Sequence, residues 1–255
     1  DALPISGYIG SQVVLDLSEK GCDLIVLDDL SSGFKELVKS GRFVHGSYGD
    51  HALLDEIFKT FEVDIVMHFG AFSKVEESMA SPLSYWLNNI SGSLTLLDSM
   101  IEHKVSRFVF SSSAAVYGNP ERTPITEDHA MNPINPYGAT KAAMEQILYD
   151  LDNARDMSFV SLRYFNAAGA DPQGRVGDLR KIKTHLIPIA LEAAGGLREE
   201  VKIFGTDYPT PDGTCIRDYV HVKDLSTAHV MAMDYLMDGG ESRSYNLGNN
   251  TGHSV

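Results

Sequence analysis

One tryptophan, two cysteines and a shortage of cations are the conspicuous scarcities of this 255-residue chain, and each excludes something. Cys22 and Cys215 show no pair spacing, and no secretory leader is read at the start, so a reducing cytoplasm without disulfides is expected. No apolar run approaches the roughly 18 residues of a membrane-spanning helix, so no membrane partner is expected. Lys and Arg number 21 against 35 Asp and Glu, a formal charge of -14 that argues against a nucleic-acid partner, which needs a basic stripe. An anionic substrate would have to find its cations locally. The nine histidines show no metal-ligand spacing, so no metal site is expected, and His68 within Ile65-Val66-Met67-His68-Phe69 reads as a satisfied core residue. There is no phosphate loop ending in Gly-Lys-Ser/Thr and no Gly-x-Ser-x-Gly elbow.

What is present is Tyr137-Gly138-Ala139-Thr140-Lys141 directly after Pro136, with Ser111-Ser112-Ser113 upstream at the end of an apolar run. Tyrosine and lysine four residues apart share one face of a helix, and Pro136 suits a first helical turn. A free phenol, with a reference pKa near 10, is a poor base at neutral pH. Lowering it by roughly 3 units takes about 4 kcal/mol, more than one solvated lysine supplies. A second cation is therefore expected, and the ring of an oxidised nicotinamide cofactor is one. Tyr219-Val220-His221-Val222-Lys223 has the same spacing, but its alternating apolar pattern predicts a strand, which would hold Tyr219 and Lys223 apart.

Short apolar runs alternate with helical patterns, which predicts an α/β fold with a Rossmann-like, doubly wound parallel sheet. Strands are expected at Leu24 to Asp28, Arg42 to Val44, Asp64 to Phe69, Arg107 to Ser112, Phe159 to Tyr164 and Val201 to Phe204. Helices are expected near 10–20, 51–60, 88–104, 137–153, 184–195 and 223–236. After about residue 165 the spacing loosens into loops rich in Gly, Asp and Pro, so a cofactor domain over 1–165 and a substrate lobe over 166–255, with some segments returning to the main domain, are expected.

Ser6-Gly7-Tyr8-Ile9-Gly10-Ser11 looks like the last two glycines of a dinucleotide fingerprint opening a helix, with Pro4 where the first glycine would fall. Asp28, 21 residues after Gly7 at a strand end, would accept ribose hydroxyls and repel a 2'-phosphate, which favours NAD over NADP.

With these residues assembled, the chain resembles the extended short-chain dehydrogenase/reductase family, and within it the nucleotide-sugar 4-epimerases. The resemblance runs from Gly7 to Val255. It rests on Gly-Tyr-Ile-Gly-Ser (7–11), Ser-Ser-Ser-Ala-Ala-Val-Tyr-Gly (111–118), Pro-Tyr-Gly-Ala-Thr-Lys (136–141), Arg-Tyr-Phe-Asn-Ala-Ala-Gly-Ala (163–170), Arg-Asp-Tyr-Val-His-Val-Lys-Asp-Leu (217–225) and Tyr-Asn-Leu-Gly (245–248). The 24-residue step from Ser113 to Tyr137 matches the family to within a residue. The resemblance implies Tyr137 as acid/base, Lys141 as its tuning cation and ribose ligand, and Ser113 as hydrogen-bond partner of the reacting sugar hydroxyl. It implies Gly7, Tyr8, Ile9, Gly10, Asp28, Asp29, Phe69, Gly70, Asn88, Ser111 and Phe165 as further NAD-binding residues. Asn166, His185, Leu186 and Arg217 would meet a UDP-hexose, with Arg217 on the diphosphate. The implied activity is interconversion of UDP-glucose and UDP-galactose through a 4-keto sugar by a homodimer. The alternatives are another nucleotide-sugar enzyme on this scaffold, such as a UDP-N-acetylhexosamine or uronate epimerase, a dehydratase or a decarboxylase; an inactive fragment of the epimerase; and a non-catalytic dinucleotide-binding or interaction protein, against which the retained tyrosine and lysine weigh. Ala114-Ala115, where dehydratases of this family carry an acid pair, weighs against that branch.

The chain departs from the family at Ser47, where an aspartate near the adenine is usual, at Ser73, where many relatives have a lysine, and at His185, where an asparagine is common. Asp1 to Ser6 does not resemble the family's first strand and reads like a cloning or assembly scar, and Val255 falls before the last part of the substrate lobe. The first strand would lie centrally in the sheet, so its absence is expected to leave two facing strand edges unpaired.

Overall fold

The computed structural model describes residues 6–180 and 183–254. The expectations for Pro4, for the rest of 1–5 and for Val255 lie outside the described residues. Ser6 is described: it is buried, and both its backbone N–H and its hydroxyl donate to Asp28 Oδ2, at 2.9 and 2.6 Å.

The chain opens with α1 (Tyr8–Glu19), followed by β1 (Ile25–Asp28), β2 (Arg42–His45), α2 (His51–Thr60) and β3 (Val66–His68). Then come α3 (Val75–Ala80), α4 (Pro82–Trp86), a wide π turn over Leu87–Gly92 and α5 (Ser93–Glu102). β4 (Arg107–Ser113) leads through a short 3₁₀ turn at Ala114–Tyr117 and a long loop to α6 (Pro136–Arg155) and β5 (Ser158–Tyr164). The remainder is β6 (Asn166–Ala168), α7 (Leu186–Ala194), β7 (Ile216–His221), α8 (Val222–Met237), β8 (Arg243–Leu247) and β9 (Gly252–Ser254).

β3, β4, β5 and β8 form one sheet in that order, parallel throughout; β1 and β2 pair in parallel apart from it. The central strands are buried on both faces, as parallel strands covered by helices must be. On one face Phe108, Phe110 and Phe159 pack with Met144 and Leu148 of α6 and Leu96, Leu97 and Met100 of α5. On the other, Ile9, Val13 and Leu17 recur every four residues along α1 and bury against Val222, Leu225 and Met233 of α8. Among the described residues no strand lies between β1 and β3. Their facing edges line a cavity of about 1000 Å³, with Val13, Val14 and Leu17 of α1 on its wall.

The expected strand at Val201 to Phe204 is corrected: among the described residues this run has no strand partner, and it is exposed, Phe204 at 81%. Its apolar residues instead line a second cavity, and a strand requires a neighbour to satisfy its backbone. β8 and β9 went unpredicted as strands because their residues are mostly polar and lack an apolar run. Tyr219 lies in β7 and Lys223 in α8, where the lysine binds Asp16 at 2.6 Å, so that second Tyr-x-x-x-Lys spacing makes no shared site.

Candidate active site

The last residues of β4 and the first turns of α6 bring the predicted acid/base group together. Asn135 caps α6, its side-chain oxygen accepting the Gly138 N–H at 2.8 Å, and Pro136 occupies the first helical position. Tyr137 and Lys141 then face inward, 8% and 4% exposed. The Ser113 hydroxyl accepts the Ala115 N–H at 3.2 Å and hydrogen-bonds the Tyr137 phenol. Lys141 Nζ donates to the Ser111 carbonyl at 2.8 Å and lies 4.7 Å from the Phe110 ring centroid and 6.0 Å from that of Tyr137.

Burial governs the charge states here. It raises the Tyr137 phenol above its ordinary value, against an opposing pull from the Ser113 hydrogen bond, and brings Lys141 down to about 7, partly offset by Glu145. Nearby His68 donates to or accepts from Ser93 Oγ at 2.9 Å and is pushed down to about 3 by burial and by Lys141, so it is the satisfied, neutral core residue expected. Ser111 Oγ meets His229 Nε2 at 3.0 Å.

The residues expected around the cofactor fall into two groups. Asp28, Asp29, Phe69, Gly70 and Asn88 all line the cavity between β1 and β3. Asp28 is buried and already accepts from Ser6 and from the Leu30 N–H, whereas Asp29 is exposed at the rim. At Gly70 an added Cβ would stand 2.5 Å from the Tyr48 ring, so a larger residue would have to displace that ring. Gly7 begins α1 with no side-chain cap, so the first-turn amides beside Tyr8, Ile9 and Gly10 are available to an anion. The Ile9 side chain itself is core. Phe69 packs on His229 at 4.8 Å between centroids, and the Phe165 N–H bonds the Leu247 carbonyl, tying it to the main sheet.

Asn166, His185, Leu186 and Arg217 come together on a different cavity, of about 1240 Å³, which Tyr8 also lines. Tyr8 donates to the Gly169 carbonyl at 2.5 Å, and Asn166 Nδ2 to the Asp218 carbonyl at 2.8 Å. His185 directly precedes α7 without capping it, and is held below its usual value by burial and then by Arg180. Arg180, Lys183, Arg198 and Lys202 on this wall each lie within ion-pair reach of a carboxylate. Arg217, among the described residues, does not: its Nη1 donates to the Ile216 carbonyl and its neighbour Asp218 is engaged by the Asn249 and Asn250 amides. Ser113, Tyr137 and Lys141 line neither cavity.

The family model for the NAD dependent epimerase/dehydratase family matches residues 5–248. The chain belongs to that family. It is 50% identical over 250 residues to a UDP-glucose 4-epimerase of Halalkalibacterium halodurans, a match that covers 98% of this chain and 75% of that protein. The crystal structure of UDP-glucose 4-epimerase from Brucella ovis in complex with NAD superposes with a TM-score of 0.95 at 44% identity, covering 98% of this chain and 77% of that one. The Bifidobacterium longum UDP-glucose 4-epimerase, solved with NAD+ and UDP, matches at a TM-score of 0.93 and 38% identity, covering 98% and 77%.

Sequence reasoning overlooked Asn89. The π turn directs it inward, where its Nδ2 donates to the Phe72 carbonyl and Thr140 Oγ1, both at 3.0 Å, and its Oδ1 accepts the Phe72 N–H at 2.7 Å. It thereby fastens the loop after β3 to the helix turn beside Lys141. A regular helical period gives no sign of a π turn, so no signal marked it. His51, Asp98 and Glu102 also converge, with ligand atoms within 4.8 Å of one another, though all three are exposed.

Proposed function

We propose that the protein interconverts UDP-glucose and UDP-galactose by inverting the sugar's 4-position, with NAD as cofactor. The observation that carries this is the Ser113–Tyr137 hydrogen bond with Lys141 one turn along the same buried helix face. The residues fit a dinucleotide: an uncapped α1 N-terminus for the pyrophosphate, and the exposed Asp29 with Asp28 for a ribose, on a cavity that Phe69, Gly70 and Asn88 also line. Bound NAD supplies the acceptor and donor of hydride at the sugar carbon.

In this reading Tyr137 takes the proton of the sugar 4-hydroxyl and later returns one to the 4-oxygen, once the 4-keto sugar has turned its opposite face to the site. Ser113 orients that hydroxyl, and Lys141 offsets the charge on the phenol oxygen. Arg217, free of carboxylates among the described residues, holds the diphosphate by its planar guanidinium, so the sugar can turn about a fixed anchor. Asn166, His185 and Leu186 line the space where the hexose lies, and Ala114 and Ala115 offer no acid for a dehydration. The boundary near 165/166 divides cofactor and substrate lobes. A homodimer pairing through α5 and α6 is supported by Leu94 of α5 and by Leu83 and Leu87 just before it, which are 46%, 69% and 57% exposed. A cytoplasmic location accords with two uncrosslinked cysteines.

The test is a coupled assay of UDP-galactose conversion with a Tyr137→Phe control. Turnover lost by 100-fold or more in the folded control, the lower range for general acid/base groups, is expected. No turnover of this substrate by the NAD-loaded wild-type protein would remove the assignment.

A further inference from the structure

Beyond Tyr137 and Lys141, the same face of α6 carries one more buried ionisable group. Residues 137, 141 and 145 are spaced by one turn each, and Glu145 is fully buried at 0% exposure. It is held from three sides. Ser112 Oγ donates to its Oε1 at 2.5 Å, Ser244 Oγ to its Oε2 at 3.0 Å, and Arg163 gives Nε to both oxygens at 3.0 Å and Nη2 to Oε2 at 2.6 Å. Successive residues of β4 thus hold successive turns of α6: the Ser111 carbonyl takes Lys141, and the Ser112 hydroxyl binds Glu145.

The surroundings of Lys141 contain little else that could stabilise an ammonium. β4 presents the Phe110 ring and the Ser111 carbonyl; β3 presents His68 and, beyond Ser111, α8 presents His229, both kept neutral by burial, at about 3 and about 4. Tyr164 of β5, bonded to Ser111, stays a protonated phenol because burial raises it, as does Tyr137 on α6 itself. Arg163 of β5 is itself bonded to Glu145, and its Nη1 is engaged with the Tyr117 hydroxyl at 2.7 Å.

We infer that Glu145 is a positioning residue for the acid/base site, its clamped carboxylate being the anion that keeps the buried Lys141 ammonium charged for its role at Tyr137. The role at Tyr137 rests on the proposed function; the charge relation between Glu145 and Lys141 does not. Removing a buried anion from beside an ammonium shifts its titration by about 1 pH unit or more.

The experiment is NMR titration of isotope-labelled lysine side chains in the purified protein, with the Lys141 signal identified by its loss in Lys141→Met. The wild-type transition is expected at about 7. In Glu145→Gln it should fall by about 1 pH unit or more. Because that variant strands the Arg163 guanidinium, Glu145→Gln/Arg163→Met is titrated alongside; it removes both charges together, which buried pairs tolerate better, and the Lys141 transition should fall there too. A wild-type transition in either folded variant overturns the inference. So does loss of the fold in both, judged by circular dichroism, since Glu145 would then be accounted for as a strut alone. The titration reads lysine charge without any substrate, so its outcome is separate from the assay of turnover.

Discussion

Gly138→Ala sets two opposing effects against each other at the residue after Tyr137. Gly138 sits in the first turns of α6 with an ordinary helical φ, and alanine there should gain about 1 kcal/mol from helix propensity alone. The added Cβ, however, would stand 2.5 Å from the Ala115 carbonyl oxygen and 3.1 Å from Pro133 Cβ. The first of these is backbone and cannot swing aside, so the cost lies toward the upper part of the 1–3 kcal/mol range for overpacking. The clash wins by about 1 to 2 kcal/mol. It also acts on chemistry, because the Ala115 N–H donates to Ser113 Oγ, and pushing the 3₁₀ turn away from α6 separates Ser113 from Tyr137. Urea unfolding should show a lower midpoint at unchanged slope, and turnover should fall with it. A variant as stable as the wild type, or more so, would refute the packing of α6 on the Ala114–Tyr117 turn described above.

Two further expectations follow from the charges. Arg217→Ala should raise KM for the nucleotide sugar by roughly 10- to 100-fold with a smaller effect on kcat, the loss of about 1.5–3 kcal/mol typical of a charged hydrogen bond made equally in ground and transition states; a fall in kcat alone would contradict an anchoring role. Lys141 titrates near about 7 when folded, against 10.5 ordinarily, so between these values the unfolded chain binds more protons and stability must rise with pH. Lys141→Met lacks this dependence. The stability difference between the two proteins should therefore move in favour of the wild type by about 2 kcal/mol from pH 7 to pH 9, measured by urea unfolding, and a constant difference would contradict the buried lysine.

The alternation of apolar runs with helical periods located β1 to β5 and six of the helices, most of them because one face is buried; α7, with no fully buried residue, was marked by its apolar run alone. Phe108, Phe110, Phe159 and Leu162 could only be core. Tyr137, Lys141 and Ser113 were legible because their spacing is fixed by one helix face and one strand end. The strand expected at Val201 to Phe204 failed for the complementary reason: a local apolar pattern does not reveal whether a neighbouring edge exists. The same limit hid Glu145 and Arg163, which are 18 residues apart in sequence and become partners only through the register that sets Arg163 opposite Ser112. The contact of Asp28 with Ser6, 22 residues away in sequence, is likewise visible only in three dimensions.

Tyr137 and Lys141 together explain why burial does not disable the site. A low-dielectric surround penalises each ion taken singly, raising the phenol and lowering the ammonium. It equally strengthens their attraction once both charges are present, so the phenolate–ammonium pair is favoured far more as a pair than either ion is alone. In the protein by itself the balance lies with the neutral phenol. Any cation brought against the Tyr137 ring shifts it toward phenolate. In the proposed role of Tyr137, proton abstraction is in that way tied to a filled site, and an empty one has little base to spend on water or on the wrong hydroxyl.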